Sequence, residues 1–143
     1  MTVQQLYPRL VVSDADAAVS FYIAAFGAEL VERYTDGSGT VVHALLRAGP
    51  EVWAVKDADG VDPAPTGHGP VIMALYVDDP DAVAAAMVDH GGRVIFEVDD
   101  HPYGERGGRL ADPFGHIWMI AARTEALTPD EIQSRTTAAY PGG

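Results

Sequence analysis

Cysteine is absent, which excludes disulfides, thiolate chemistry and zinc–thiolate sites. Positive charge is scarce: 9 Lys and Arg stand against 21 Asp and Glu, giving a net charge of −12. Such a chain lacks the basic footprint that nucleic acids and anionic membranes require. Long apolar runs are missing as well, and none approaches the roughly 20 residues that cross a bilayer. Met1 to Leu10 carries neither a basic nor an apolar signal region, so a cytoplasmic protein is expected. Gly104-Glu105-Arg106-Gly107-Gly108 lacks the lysine and the following helix of a phosphate loop. Ser13, Ser20, Ser38 and Ser134 have no triad-like context.

What remains is a chain of 143 residues, 48% apolar and 21% charged, long enough for one domain with a true core. Its acidity keeps a protein soluble and steers cationic ligands toward it. The most informative feature is a repeat. Val12-Ser13-Asp14-Ala15-Asp16-Ala17-Ala18 returns 65 positions on, from Val12 to Val77, as Val77-Asp78-Asp79-Pro80-Asp81-Ala82-Val83. In both copies an apolar run enters the acidic cluster and an Ala-rich segment leaves it for a glycine, Gly27 or Gly92. A strand-to-helix unit present twice predicts a duplicated fold.

Leu6 to Val12 reads as a strand with Pro8 near its start, and Asp14 as the N-cap of a helix ending at Gly27. Glu29 to Arg33, Thr40 to Arg47 and Glu51 to Lys56 read as strands, giving β-α-β-β-β for residues 5–57. Residues 58–70 are rich in Gly, Pro and Asp and read as a linker. A second β-α-β-β-β fills 71–123, with Asp79 and Pro80 starting its helix. Its hairpin is read as short strands, Arg93 to Val98 and Gly108 to Ala111, around the loop from Asp99 to Gly104. Residues 124–143 form a tail in which Thr128-Pro129-Asp130-Glu131 starts a short helix reaching about Thr136.

From Leu6 to Ala122 the chain resembles the vicinal oxygen chelate superfamily of glyoxalase, bleomycin-resistance and extradiol-dioxygenase proteins. The matching residues are Leu10-Val11-Val12-Ser13-Asp14, Ala18-Val19-Ser20-Phe21-Tyr22, Phe26-Gly27-Ala28, Leu75-Tyr76-Val77-Asp78-Asp79 and Asp112-Pro113-Phe114-Gly115-His116-Ile117-Trp118. Tyr103-Gly104-Glu105-Arg106-Gly107-Gly108 and the Thr128-Pro129-Asp130-Glu131 tail look most like the small single-domain subfamily first named from phosphonate-utilisation operons. The resemblance implies an α+β fold of two tandem βαβββ modules, with curved mixed sheets around a cleft. It also implies pairing into a homodimer, in which each cleft draws residues from both chains.

Enzymes of the superfamily typically hold a divalent metal on the cleft face of the strands. By resemblance, the ligand positions here are Tyr7, Ile72 and Met119. These side chains do not chelate a hard divalent ion, which takes imidazole and carboxylate. No metal and no other cofactor is therefore expected.

Strand alternation then draws the lining. If Tyr7 faces the cleft, so do Arg9 and Val11; with Ile72 come Ala74 and Tyr76, and with Met119 come Ile117 and Ala121. Leu10, Val12, Met73, Leu75, Val77, Trp118 and Ile120 are assigned to the core, and Trp53 leans the same way. Tyr103 suits stacking on a planar ligand and Arg106 suits pairing with an anionic group. The candidate ligand-binding set is thus Tyr7, Arg9, Ile72, Ala74, Tyr76, Tyr103, Arg106 and Met119. His43 and His116 have the chemistry of a general base, but neither has a partner at a telling spacing. His68 and His101 fall in loops, and His90 at a helix C-terminus.

The expectation is a metal-free protein that sequesters a planar or aromatic compound, with a cationic, antibiotic-like molecule favoured by the acidic charge. The alternative is a glyoxalase-like lyase or isomerase using a divalent metal, or proton transfer by His43, Tyr103 or Arg106. The partners expected are a small organic molecule and a second copy of the chain.

Overall fold

The computed structural model describes residues 1–142. The first module is β1 (Arg9–Val12), α1 (Ala15–Phe26), β2 (Glu29–Thr35), β3 (Val41–Ala48) and β4 (Glu51–Asp57). The second is β5 (Ile72–Tyr76), α2 (Pro80–Asp89), β6 (Arg93–His101), β7 (Glu105–Ala111) and β8 (Ile117–Arg123), and α3 (Pro129–Ala139) follows. Each module makes a four-stranded sheet with the same order, β1-β4-β3-β2 and β5-β8-β7-β6. In each, the first strand pairs parallel to the last and the other pairs are antiparallel. This is the duplicated α+β architecture announced by the repeat.

Local chemistry sets the element ends. Asp14 accepts from Ala17 N and Asp79 from Ala82 N, each satisfying an orphan donor of the first helical turn. Thr128 and Glu131 form a reciprocal capping box, and α3 continues to Ala139, beyond the expected end near Thr136. β1 begins at Arg9 rather than Leu6. Pro8 has no N–H to give a ladder and contributes only its carbonyl, which accepts from Ala54 N at 2.9 Å.

The second hairpin corrects the sequence reading. Residues 99–104 are not a loop between short strands: β6 runs on to His101 and β7 starts at Glu105. Register shifts after Val94 and after Phe96 insert extra residues into β6. The ladder then resumes as Asp99↔Gly107, Asp100↔Arg106 and His101↔Glu105. Such bulges break the alternation by which a strand is recognised. The turn is closed by Gly104, whose N–H donates to His101 O at 3.2 Å and whose φ of 83° suits only glycine.

The two modules share one core. α1 and α2 touch each other, and the buried cluster joins Leu46, Trp53 and Val55 of the first sheet to Leu110, Trp118 and Ile120 of the second. Tyr22 of α1 packs its ring 5.7 Å from Trp53 and 5.4 Å from Trp118. Phe26 lies 4.8 Å from Trp118. Full burial of each large apolar side chain contributes ~1.5–3 kcal/mol. Asp112, 4% exposed, accepts from Phe114 N, His116 N and Trp118 Nε1, and His116 Nε2 donates to Val11 O of the other module. His116 is thus a tie between modules.

Candidate functional site

Each sheet has one face on this core and one turned away from it. Leu10, Val12, Trp53, Trp118 and Ile120 face the core, with Met73, Leu75 and Val77 packed against it. Alternation therefore places Arg9, Ile72, Ala74, Tyr76 and Met119 on the open faces, while Tyr7 lies ahead of β1, outside the strand expected to carry it.

On the open face of the first sheet, Arg9 Nη2 donates to Val42 O at 3.0 Å. His43 stacks on Tyr34 with centroids 5.8 Å apart, and its Nε2 lies 3.9 Å from Glu32. On the second sheet, the register sets Ile72 beside Ile117, Ala74 beside Met119, and Met119 beside Arg109. A cup of about 110 Å³ opens here over Met119, Gly107 and Ala121. Its walls are Phe96, the parallel rings of His101 and Tyr103 at 5.2 Å, Glu105 and Arg109. His101 Nε2 donates to Gly107 O at 2.9 Å, which fixes the imidazole. Tyr76 OH donates to Glu105 Oε2 at 2.7 Å, and the Arg123 guanidinium lies 4.2 Å from the Tyr76 ring centre.

The phenols at this face stay neutral. Burial, then the hydrogen bond and charge of Glu105, raise the Tyr76 pKa above its ordinary value. Burial also raises that of Tyr103, with Tyr140 and Glu105 adding to it. Both are hydrogen-bond donors at neutral pH rather than bases. Two buried side-chain donors have no hydrogen-bond partner among the described residues, Trp53 Nε1 in the core and Arg109 Nε on the wall of the cup, and the Arg109 guanidinium lies 5.5 Å from the Phe96 ring centre. A buried donor left unmade costs ~1–3 kcal/mol.

The expected residues are therefore not gathered in one place. Tyr103 and Met119 line the cup, while Ala74 and Tyr76 line a wider cleft of about 690 Å³ at the seam of the modules. Core side chains, among them Phe26, Trp53 and Trp118, form part of its wall, and the turn Gly49-Pro50 and Leu6 form another part. Ile72 is 44% exposed at the start of its strand. Arg9 belongs to the first sheet, and Tyr7 lies just before its first strand. Arg106 is turned to the helix side of its sheet, where it forms a fork with Asp81 at 2.8 and 2.9 Å and pairs with Asp100 at 3.3 Å. It has no donor directed at the cup. His43, Tyr103 and Arg106 sit on three different surfaces and make no joint acid–base site.

Phe96, His101, Glu105, Arg109 and Arg123 escaped the sequence reading. Arg109 already lay in the strand read from Gly108, and extending that strand back would have added Glu105, since Glu105, Gly107 and Arg109 alternate onto one face.

The fold implies a divalent metal near Tyr7, Ile72 and Met119, and the residues present do not fit one. Among the described residues no three His, Asp or Glu side chains converge as a ligand set. Met119 also stands next to the Arg109 cation, whose charge opposes that of a metal ion.

Residues 4–120 match the model of the Glyoxalase/Bleomycin resistance protein/Dioxygenase superfamily. The chain belongs to this superfamily. An uncharacterized protein of Mycobacterium tuberculosis (strain ATCC 25618 / H37Rv) is 34% identical over 136 residues, covering 90% of this chain and 80% of that protein. A glyoxalase-related enzyme from Fulvimarina pelagi superposes with a TM-score of 0.67 at 27% identity, over 85% of this chain and 89% of that one. FosX, a fosfomycin resistance protein from Listeria monocytogenes solved with Mn(II) and sulfate, superposes at 0.69 with 14% identity. That superposition covers 98% of this chain and all of the other, and it speaks for the fold alone. Among the described residues no helix is long and apolar enough to cross a membrane.

Proposed function

We propose that this superfamily member binds and sequesters a planar or aromatic small molecule in the cytoplasm, without a metal and without making or breaking a bond. The observation that carries this reading is the cup over Met119. Aromatic rings and apolar atoms dominate it, and a few polar groups converge on it, as in sites that fix a small ligand's orientation. The side chain at one implied metal position supports the same conclusion, because Met119 gives the cup apolar contact where a chelator would add charge.

A cup of about 110 Å³ holds only part of a drug-sized molecule, and module two alone lines it. Ile72, Tyr76 and Phe96 on the same face are 44, 39 and 61% exposed. A second copy of the chain, laid over this face, would complete the enclosure and cover those side chains, so the functional unit we propose is a homodimer. Light scattering coupled to size exclusion reads twice the chain mass if this is so and the single mass if it is not. The binding itself is tested by titrating planar aromatic compounds into ¹⁵N-labelled protein. Shifts confined to amides around Met119, Gly107 and Tyr103 support the reading; shifts confined to the first sheet or to the seam contradict it.

A further inference from the structure

We infer that Arg109 makes the cup an anion site, so that the aromatic ligand carries a carboxylate or a group of the same charge and plane. This rests on the binding function proposed above and adds the ligand's chemical class. It reverses the preference for a cationic ligand that the net charge alone suggests.

The first support is a pairing imbalance. With 21 acidic side chains for 9 basic ones, a carboxylate is available for every cation. Arg33, Arg47, Lys56, Arg106 and Arg135 each have one within 4.0 Å. Among the described residues Arg9, Arg93, Arg109 and Arg123 do not. Each of the four has some other contact, and for Arg109 it is the Phe96 ring. Arg9 donates to Val42 O, Arg93 shares a hydrogen bond with His68, and Arg123 lies on the Tyr76 ring. Arg109 alone keeps a buried Nε with nothing to donate to, on the wall of a cavity.

The second support is complementarity. A guanidinium presents parallel N–H donors in a plane, the counterpart of a carboxylate. The neighbouring Phe96, His101 and Tyr103 offer flat faces for the ring that bears it. Glu105 on the same wall opposes an anion, but its Oε2 is taken by Tyr76 OH, and Arg123 sits over that ring. The overall charge of −12 acts from the surface, where salt screens it beyond about 8 Å. Contact with Arg109 acts inside the cup.

Benzoate, benzamide and benzamidinium have one shape and three charges, and they separate the possibilities when titrated into the full chain by NMR. We expect benzoate to bind on the order of tenfold more tightly than either of the others. Arg109→Gln should bring benzoate down to the level of benzamide, while Arg106→Gln on the other face of the strand should keep the preference. Equal binding by all three, a preference for benzamidinium, or a benzoate preference that survives in Arg109→Gln overturns the anion site and leaves the sequestration reading standing. No shift in the cup amides with any of the three overturns both. If Arg109→Gln does not give the dispersed spectrum of a folded protein, Arg109→Lys keeps the charge and loses the fork. Benzoate affinity between those of wild type and benzamide then supports the inference, and full wild-type affinity overturns the fork.

Discussion

The hydroxyl of Tyr22 donates to Asp112 Oδ2 at 2.5 Å, joining α1 of the first module to the turn before β8 in the second. The two residues are 90 positions apart and are 0 and 4% exposed. Trp118 Nε1 donates to the same oxygen at 2.9 Å, so one carboxylate pins a helix, a turn and a strand together. Tyr22→Phe removes a charge-assisted bond without changing shape and should cost ~1.5–3 kcal/mol in urea unfolding. Asp112→Ala leaves the Tyr22 and Trp118 donors both unmet and should cost at least ~3 kcal/mol.

The same bond sets an alkaline limit. Burial first, and then the Asp112 charge, raise the Tyr22 pKa well above 10.0. In the folded state the phenol therefore stays protonated where the unfolded one ionises. The stabilisation is full below pH 10 and declines as pH climbs above it toward the folded value. Melting temperatures followed from pH 8 upward should fall less steeply in Tyr22→Phe than in wild type.

An acid limit comes from the loop after β4. Asp59 is held at a pKa of about 2, first by the backbone N–H of Asp62, then by Lys56 and the N–H of Val61. Its contribution is present above the ordinary value of 3.8 and is lost as pH falls from there toward 2. Lys56→Met should leave the Asp62 and Val61 bonds in place and shift the Asp59 carboxyl titration, read by NMR, upward.

Strand parity is tested by a contrasting pair. Trp118→Ala should destabilise the protein by ~3–5 kcal/mol, because the indole is a fully packed core group. Tyr7→Ala, at a half-buried position ahead of β1, should leave the melting temperature near that of wild type and weaken binding only if the first module takes part in the site. A Trp118→Ala variant as stable as wild type would mean that the faces of β8 are assigned backwards.

Gly107 is held to glycine by close approach. An added Cβ would sit 2.8 Å from Ile120 O and 2.9 Å from Ala121 Cβ. Gly107→Ala should therefore cost ~1–3 kcal/mol as overpacking and narrow the cup, lowering affinity for the aromatic ligand.

What was legible in the sequence was local or periodic. Asp14, Asp79 and Thr128 cap helices through bonds to backbone three residues on, and such bonds need no distant partner. Alternation was enough to send Trp118 to the core and Met119 to the open face. The bulges of β6 were not legible, because an inserted residue erases the period that marks a strand. That loss made residues 99–104 read as a loop and kept Glu105 and Arg106 out of a strand, whereas Arg109 already lay in the strand read from Gly108 to Ala111. The choice between the two arginines depends on Asp81, which lies 25 residues from Arg106 and meets it only once α2 has packed on the sheet.

The most direct test is the metal content of the protein purified without chelator or histidine tag, measured by plasma mass spectrometry. A ligand cup floored by Met119 and walled by Arg109 predicts only traces of nickel, zinc, iron and manganese, unchanged by dialysis against any of them. One tightly held ion per chain would contradict it and make a metal-dependent catalyst of this superfamily member.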